Sequence, residues 1–362
     1  MKLVHVFKDY WPPLAAGITR YIADIADESA RRGWTVEAHV AGVHVSRRDV
    51  LPSGVVVHRH RELGRLLSSP LAPGLVREIR RLDADIVHLH MPNPLGELGA
   101  VLSDGGHPVV ISFHAQLGRQ AFLKPIYGPL QRRVLDRASV IVVASERLAG
   151  APELQSHVEK ICILPYGVSP RFAAVIPPTA TRSAVLRVLF VGRLIYYKGV
   201  EVLLQALAQL EGVTLTLVGD GPLRQDLERK ASALGLASSV RFMGVVSDDA
   251  LLDIYSSHDV FVLPSVSRAE AFGLAMAEAM ASGLPAVSTS LGTATDWVNE
   301  DGESGFVVPP GDANALASAL QLLHSIEVRH RLGAGARSRI ERLFSFDRHC
   351  DALLNVYSQV LK

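Results

Sequence analysis

The chain is predicted to be an α/β protein built from two doubly wound parallel-sheet domains that face each other across a cleft. Three observations carry this. Its 362 residues suffice for two domains, each with its own core. Short apolar runs of strand length alternate with helical stretches throughout. A strand, loop, helix and second strand open the chain at Leu3, and the same arrangement recurs at Arg187. Such units imply parallel sheets with right-handed crossovers, and ligands at the carboxyl ends of the strands.

In the first opening Leu3–Phe7 reads as a strand. A Pro- and Gly-bearing loop runs to Gly17, a helix follows over Ile18–Arg32, and Val36–Val40 is the next strand. Further strands are read at Asp85–His90, Val109–Phe113 and Val140–Val143. In the second opening Arg187–Val191 leads through Gly192 and a basic loop to Gly199. A helix over Val200–Leu210 and a strand at Val213–Val218 follow, then strands at Val240–Phe242, Val260–Leu263 and Pro285–Ser288. Ser169–Ser183 holds Pro170, Pro177 and Pro178 and reads as the linker. Phe346–Leu361 is a helix capped near Ser345 or Asp347, and its periodicity does not say which domain it packs on. The expected division is 1–172, 184–344 and a final segment, 345–362.

Composition is ordinary for a globular protein, 48% hydrophobic and 20% charged, and a net charge of +1 gives no case for nucleic acid. The sign is unevenly spread. Residues 1–172 hold 21 Lys and Arg against 16 Asp and Glu, and the remainder hold 16 against 20. Cys162 and Cys350 suggest neither a disulfide framework nor a zinc cage, and Cys162, in an apolar strand, reads as a small buried filler. Met1–Phe7 reads as a strand rather than a signal peptide. No apolar run approaches the length of a membrane span. A cytoplasmic protein is expected, at most attached to the inner membrane surface.

The most informative stretch is Pro264–Ala281. The buried strand ending at Leu263 passes through a polar loop into a helix rich in Ala, Met and Leu. Glu270 lies in the loop, and Glu278 lies within the helix. The N–H groups of Phe272, Gly273 and Leu274 open the helix and offer oxygens of a ligand a site at the positive end of its dipole. Two glutamates eight apart are an ordinary surface pair in many chains. Here Glu278 sits among Ala275, Met276, Ala277, Ala279 and Met280, where an unpaired charge is costly. A hydroxyl-rich ligand, with ribose on one carboxylate and a sugar on the other, fits both.

Gly192–Gly199 follows the first strand of the second half, where doubly wound folds bind phosphate. Its cations, Arg193 and Lys198, are suited to a diphosphate and to its growing charge as it leaves. A solvated basic turn is the alternative reading. Neither G-x-G-x-x-G nor G-x-x-x-x-G-K-[ST] follows either opening strand, which argues against a dinucleotide fingerprint and a P-loop. Asp83 and Asp85 precede their strand and read as a turn pair. His88 with His90, and His58 with His60, share strand faces but have no third ligand at a suitable spacing, so they read as structural. His114 falls just after the strand Val109–Phe113 and reads either as a core residue or as a hydrogen-bond partner or local base for a sugar. Gly17 allows a close backbone approach to phosphate, or serves a tight turn. Gly219-Asp220-Gly221-Pro222 is explained by starting a helix.

Together these residues resemble the retaining glycosyltransferases of the GT-B fold, glycosyltransferase family 4, over nearly the whole chain. Pro12-Pro13-Leu14-Ala15-Ala16-Gly17 is similar to the family's P-P-x-x-G-G loop, with Ala16 in place of its first Gly. Ile163–Val168 is similar to its P-N-G-V turn, with Tyr166 for Asn. Gly192-Arg193-Leu194 with Lys198-Gly199 resembles the diphosphate loop, and Glu270 to Glu278 the E-x7-E motif. Leu291–Asn299 and Tyr196-Tyr197 resemble a subgroup that makes bacterial surface polysaccharides, often from GDP-mannose.

The resemblance implies that Arg193 and Lys198 bind the donor diphosphate and Glu278 the ribose. Glu270 and the amides of Phe272, Gly273 and Leu274 would hold the donor sugar, His114 would contact it from the acceptor domain, and the last helix would return to the first domain. It implies no metal and no cofactor. The expected partners are a nucleoside diphosphate sugar and a glycan or lipid-linked acceptor. A UDP-sugar transferase, a nucleotide-sugar epimerase and a non-catalytic binding subunit remain as alternatives. The basic and apolar segment Arg119–Arg133, with Phe122, Leu123, Lys124, Ile126 and Arg132, is expected to touch an anionic membrane or to be an ordinary helix with its apolar face in the core.

Overall fold

The computed structural model describes residues 1–11, 17–66, 69–115, 124–175 and 185–362. They form two compact units, Met1–Tyr166 with Asp347–Lys362, and Gly167–Phe346.

Unit 1 runs β1 (Lys2–Val6), α1 (Gly17–Arg31), β2 (Thr35–Val43), β3 (Arg47–Val50) and β4 (Val56–Arg61). A small ribbon follows, β5 (Arg65–Leu66) with β6 (Ser69–Pro70), then α2 (Pro73–Ile79), β7 (Ile86–Met91), α3 (Pro94–Val101) and β8 (Val109–Phe113). Next come α4 (Lys124–Arg137), β9 (Val140–Val143), α5 (Glu146–Ala149) and β10 (Ile161–Ile163). The sheet order is β10-β9-β8-β7-β1-β2-β4-β3, and only the β3–β4 pairing is antiparallel. β7 is buried at every position, as a strand covered by helices on both faces must be. Val4, Val6, Leu89, Ile111, Phe113 and Ile141 form its core. Pro94 starts α3 where a missing N–H costs nothing, and Asn93 caps it. Because β10 is an edge strand, Cys162 is half-buried rather than the buried filler expected.

Unit 2 begins with α6 (Pro170–Ala173) and continues β11 (Leu186–Val191), α7 (Val200–Leu207), β12 (Val213–Val218), α8 (Arg224–Ala233), β13 (Val240–Gly244), α9 (Asp248–Ser256) and β14 (Val260–Leu263). It is completed by α10 (Leu274–Ala281), β15 (Ala286–Thr289), α11 (Thr295–Val298), β16 (Gly305–Val308), α12 (Ala313–Leu322) and α13 (Ile326–Leu343). Its strands are all parallel, in the order β13-β12-β11-β14-β15-β16. The chain therefore works outward from β11 in one direction, then returns to its other side with β14. A crevice opens at the carboxyl ends of those two strands.

The expected linker is partly a packed helix. Phe172 of α6 is buried and meets Tyr255 edge to face at 5.7 Å, and Arg171 pairs with Asp248 at 3.0 Å. Residues 176–184, with Pro177 and Pro178, lie outside the described residues. The last helix, α14 (Phe346–Val360), belongs from Asp347 onward to unit 1. Its His349 bonds the Pro165 carbonyl at 2.6 Å and the Tyr21 hydroxyl at 2.7 Å, and its Tyr357 meets His88 at 2.6 Å. Among the described residues no helix is long and apolar enough to cross a membrane.

Candidate active site

The loops after β11 and β14 flank the switch point of unit 2 and are locked together by backbone. Gly199 takes a left-handed conformation (φ 66°) at the start of α7. A Cβ there would stand 1.9 Å from the Pro264 carbonyl oxygen, so any other residue would push the loops apart. Beside it the Val266 N–H donates to the Tyr197 carbonyl at 2.8 Å. The loop after β12 closes the other flank: Gly192 donates to Val218 and Leu194 to Asp220, at 2.9 and 3.0 Å. Gly219 and Gly221 are required there because a Cβ on either would strike the carbonyls of Gly192 and Leu194. α8 starts at Arg224, so Pro222 lies in the turn before the helix rather than at its first position.

This framework brings Lys198 to Glu270. Its ammonium lies 2.6 Å from Glu270 Oε2, with both side chains about nine-tenths buried. Ser265, fully buried, donates to the same oxygen at 2.9 Å. Burial by itself lowers the Lys198 pKa, but the carboxylate more than offsets it and holds the ammonium above its ordinary value. The two residues, read from the sequence as serving separate parts of a ligand, are each other's partners. Arg193 is exposed on the same loop. The arrangement offers a charged pair to a ligand carrying both hydroxyls and phosphate: hydroxyls can take over the carboxylate and phosphate the ammonium.

Helix α10 starts at Leu274, two residues beyond the Phe272 expected to open it. Gly273 (φ 80°) is the N-cap, and Phe272 lies outside the helix, buried and packed edge to face on Phe344 at 5.7 Å. The first bonds run from Met276 and Ala277 back to the Gly273 carbonyl, so the N–H groups of Leu274 and Ala275 precede the intrahelical ladder. Glu278 is half-buried, and Tyr255, wholly buried on α9, donates to it at 3.2 Å. The tyrosine answers part of the burial cost that the sequence assigned to a ligand. Asp296 accepts the N–H groups of Leu291 and Gly292 at 3.0 and 2.9 Å and so shapes the loop after β15.

Gly17 and His114 belong to unit 1. Gly17 opens α1 and is exposed, while Pro12–Ala16 lie outside the described residues. His114 follows β8 and is buried. Its Nε2 is 3.0 Å from His90 Nδ1, whose Nε2 is 3.0 Å from His5 Nδ1, and its own Nδ1 meets the Tyr166 hydroxyl at 2.5 Å. Burial pushes His114 and His5 down to about 3, and His90 well below its ordinary value. The row is neutral, and both His114 nitrogens are engaged, which leaves no local base there. Tyr166 is thus a hydrogen-bond partner of His114, although the sequence marked it only as a departure from a turn motif. Sequence reasoning missed both Ser265, which lies in the same loop as Glu270 but as one small polar residue among several, and Tyr255, which comes from another helix.

Residues 186–325 match the family model for glycosyl transferases group 1, and residues 16–167 match that for a glycosyl transferase 4-like domain. The chain is 30% identical to O-antigen chain mannosyltransferase C of Escherichia coli over 373 residues, 100% of this chain and 99% of the relative. It is 32% identical to D-rhamnosyltransferase WbpZ of Pseudomonas aeruginosa over 362 residues, 95% and 92% of the two chains. Among solved structures, sucrose-phosphate synthase from Thermosynechococcus elongatus superposes with a TM-score of 0.85 at 22% identity, covering 99% of each chain. Anabaena HepE in complex with UDP and glucose gives 0.81 at 19% identity, again over 99% of each. These likenesses show the GT-B fold. The chain belongs to the group 1 glycosyl transferase family, and it is a glycosyltransferase.

Proposed function

We propose that this glycosyltransferase is a retaining hexosyltransferase that needs no metal for transfer, moving mannose from GDP-mannose to an acceptor hydroxyl in surface-glycan or glycolipid synthesis. The reading rests on the Lys198–Glu270 pair at the switch point, with Arg193 on the same loop. Mannosyl transfer is supported by the name of the Escherichia coli relative. In the step proposed, the sugar C1–O bond breaks and its electron pair goes to the departing β-phosphate. The acceptor oxygen bonds to C1 on the same face, and the acceptor proton passes to that phosphate. Lys198 and Arg193 stabilise the charge gathering on the diphosphate, as preorganised donors do best. Glu270 and the amides around Gly273 and Leu274, with Phe272 behind them, hold the sugar, and Glu278 holds the ribose hydroxyls. Unit 1 is assigned to the acceptor side, with the Gly17 backbone approaching the donor phosphate and His114 contacting the sugar. His114 takes the part of a neutral hydrogen-bonding group, because burial and its two partners deny it a base role. The workplace proposed is the cytoplasmic face of the plasma membrane.

A UDP-sugar donor is the second reading, favoured by the complex of HepE with UDP and glucose. Thermal shifts with GDP-mannose and a set of UDP-sugars separate the two. A donor at a hundred times its Kd stabilises by about 2.7 kcal/mol. Stabilisation by GDP-mannose, with an α-linked product on NMR, supports the proposal. A response to UDP-sugars alone overturns the donor assignment, and an inverted anomer overturns the retaining step.

A further inference from the structure

We propose that unit 1 carries a binding site for a zinc-class divalent cation, formed by Glu37 and His39 of β2 and His58 of β4. The pairing register assembles it. Glu37 and His39 are two apart on β2 and so share a face, and His39 pairs directly with His58 across the parallel ladder. Glu37 Oε2 lies 3.6 Å from His39 Nε2 and 3.3 Å from His58 Nε2. One oxygen and two nitrogens around a tetrahedral zinc at about 2.0–2.1 Å are separated by roughly 3.4 Å; the three atoms lie within 4.8 Å of one another, and a rotation of the stacked His39 and His58 rings would converge them on one ion.

The hydrogen bonding points the same way. His39 Nε2 and His58 Nε2 are both buried with no hydrogen-bond partner among the described residues, and the His39 side chain is only 6% exposed. Both face Glu37 Oε2 without a hydrogen bond; such buried polar atoms are costly, and a metal among the three would satisfy them. The other ring nitrogen of His39 is 3.2 Å from His60 Nε2, the outer contact that fixes the tautomer and orientation of a ligating imidazole. Lys2 holds the second oxygen of Glu37 at 3.1 Å.

In the other close histidine group of unit 1, His5, His88 and His90, only His5 Nε2 lacks a hydrogen-bond partner among the described residues. His88 bonds Tyr357 and Ser112 through its two nitrogens, and His90 bonds His5 and His114. Two imidazoles and one carboxylate suit zinc, with a fourth position left for water. His58 and Glu37 are 27% and 21% exposed, which gives an ion a way in. Bound there, the ion would tie β2 to β4.

The test uses the full chain without an affinity tag, stripped with EDTA and dialysed. Titration with Co(II) and then Zn(II) is followed by visible absorption, elemental analysis and melting temperature. One equivalent per chain, a Co(II) ligand-field band displaced by Zn(II), and a rise in Tm are expected. E37Q and H58A, both at partly exposed positions, should each weaken binding roughly tenfold or more, while H5Q, in the other histidine group, should leave it unchanged. Circular dichroism confirms that each variant is folded. Lack of saturable binding overturns the proposal. So does binding that survives in E37Q/H58A, or that is lost in H5Q instead.

Discussion

Lys198 and Glu270 are 72 positions apart in sequence, yet they form a 2.6 Å ion pair at the carboxyl ends of β11 and β14, held by the contact of Gly199 with the Pro264 carbonyl. Removing one member of a buried pair leaves the other charge uncompensated, at a cost of about 3–5 kcal/mol. E270A and K198A are each expected to lower urea stability toward that range. K198M/E270M should recover much of the loss, and additive losses in the double variant would show the pair to be uncoupled. If the functional assignment is right, E270A also lowers kcat while changing nucleoside diphosphate affinity less.

Arg193 and Glu278 are expected to fail differently. R193A should lower kcat by the 10²–10³ fold seen when one oriented donor is lost, about 2.7–4 kcal/mol. E278Q should chiefly weaken donor binding, since a ribose acceptor oxygen becomes an amide. Donor affinity unchanged in folded E278Q would remove Glu278 from the ribose.

Chelation should spare turnover. Transfer by wild type is expected to run at full rate in excess EDTA, because Lys198 and Arg193 supply the positive charge that a cation otherwise would. Loss of transfer that manganese restores would contradict this. The melting temperature is a separate reading, governed by the cation site proposed in unit 1.

Acid should destabilise unit 1 through its buried histidines. His5 and His114 are held down to about 3 and His349 to about 4, with His88 and His90 also well depressed, all chiefly by burial. The unfolded chain takes up protons below about 6.5, while the folded chain does not. Stability is therefore full above that value and falls as pH drops toward the folded-state values, by about 1.4 kcal/mol per pH unit for each histidine. Urea midpoints between pH 7.5 and 5 should show this slope, and H114Q should reduce it by about one proton.

The membrane expectation now rests on α4. Ile126 is 80% exposed and Arg132 and Arg133 face solvent, while Tyr127, Gln131, Val134 and Leu135 are buried. Arg119, Phe122 and Leu123 lie outside the described residues. Co-sedimentation with anionic but not neutral vesicles, reduced by salt and by R132E/R133E, is expected at about 1 kcal/mol per basic residue. No binding at low salt would point to a water-soluble acceptor.

The sequence by itself determined the strands and helices that position the site. Val260–Leu263 announces itself as an unbroken apolar run and Val213–Val218 as an alternation of apolar residues with Thr214 and Thr216, and Gly192–Gly199 and Glu270–Glu278 stand where a doubly wound sheet binds ligands. That information is local: side-chain period, glycines and caps act over a few residues. Only the tertiary structure decided that Lys198 meets Glu270, that His90 and Tyr166 occupy both nitrogens of His114, and that Glu37 completes the pair His39 and His58. It also turned Pro170–Ala173 from linker into packed helix and put Cys162 on an edge. Each of these depends on strand order and register, which are set by the packing of whole crossover units. No spacing within a single segment encodes which loop will lie across the crevice from it.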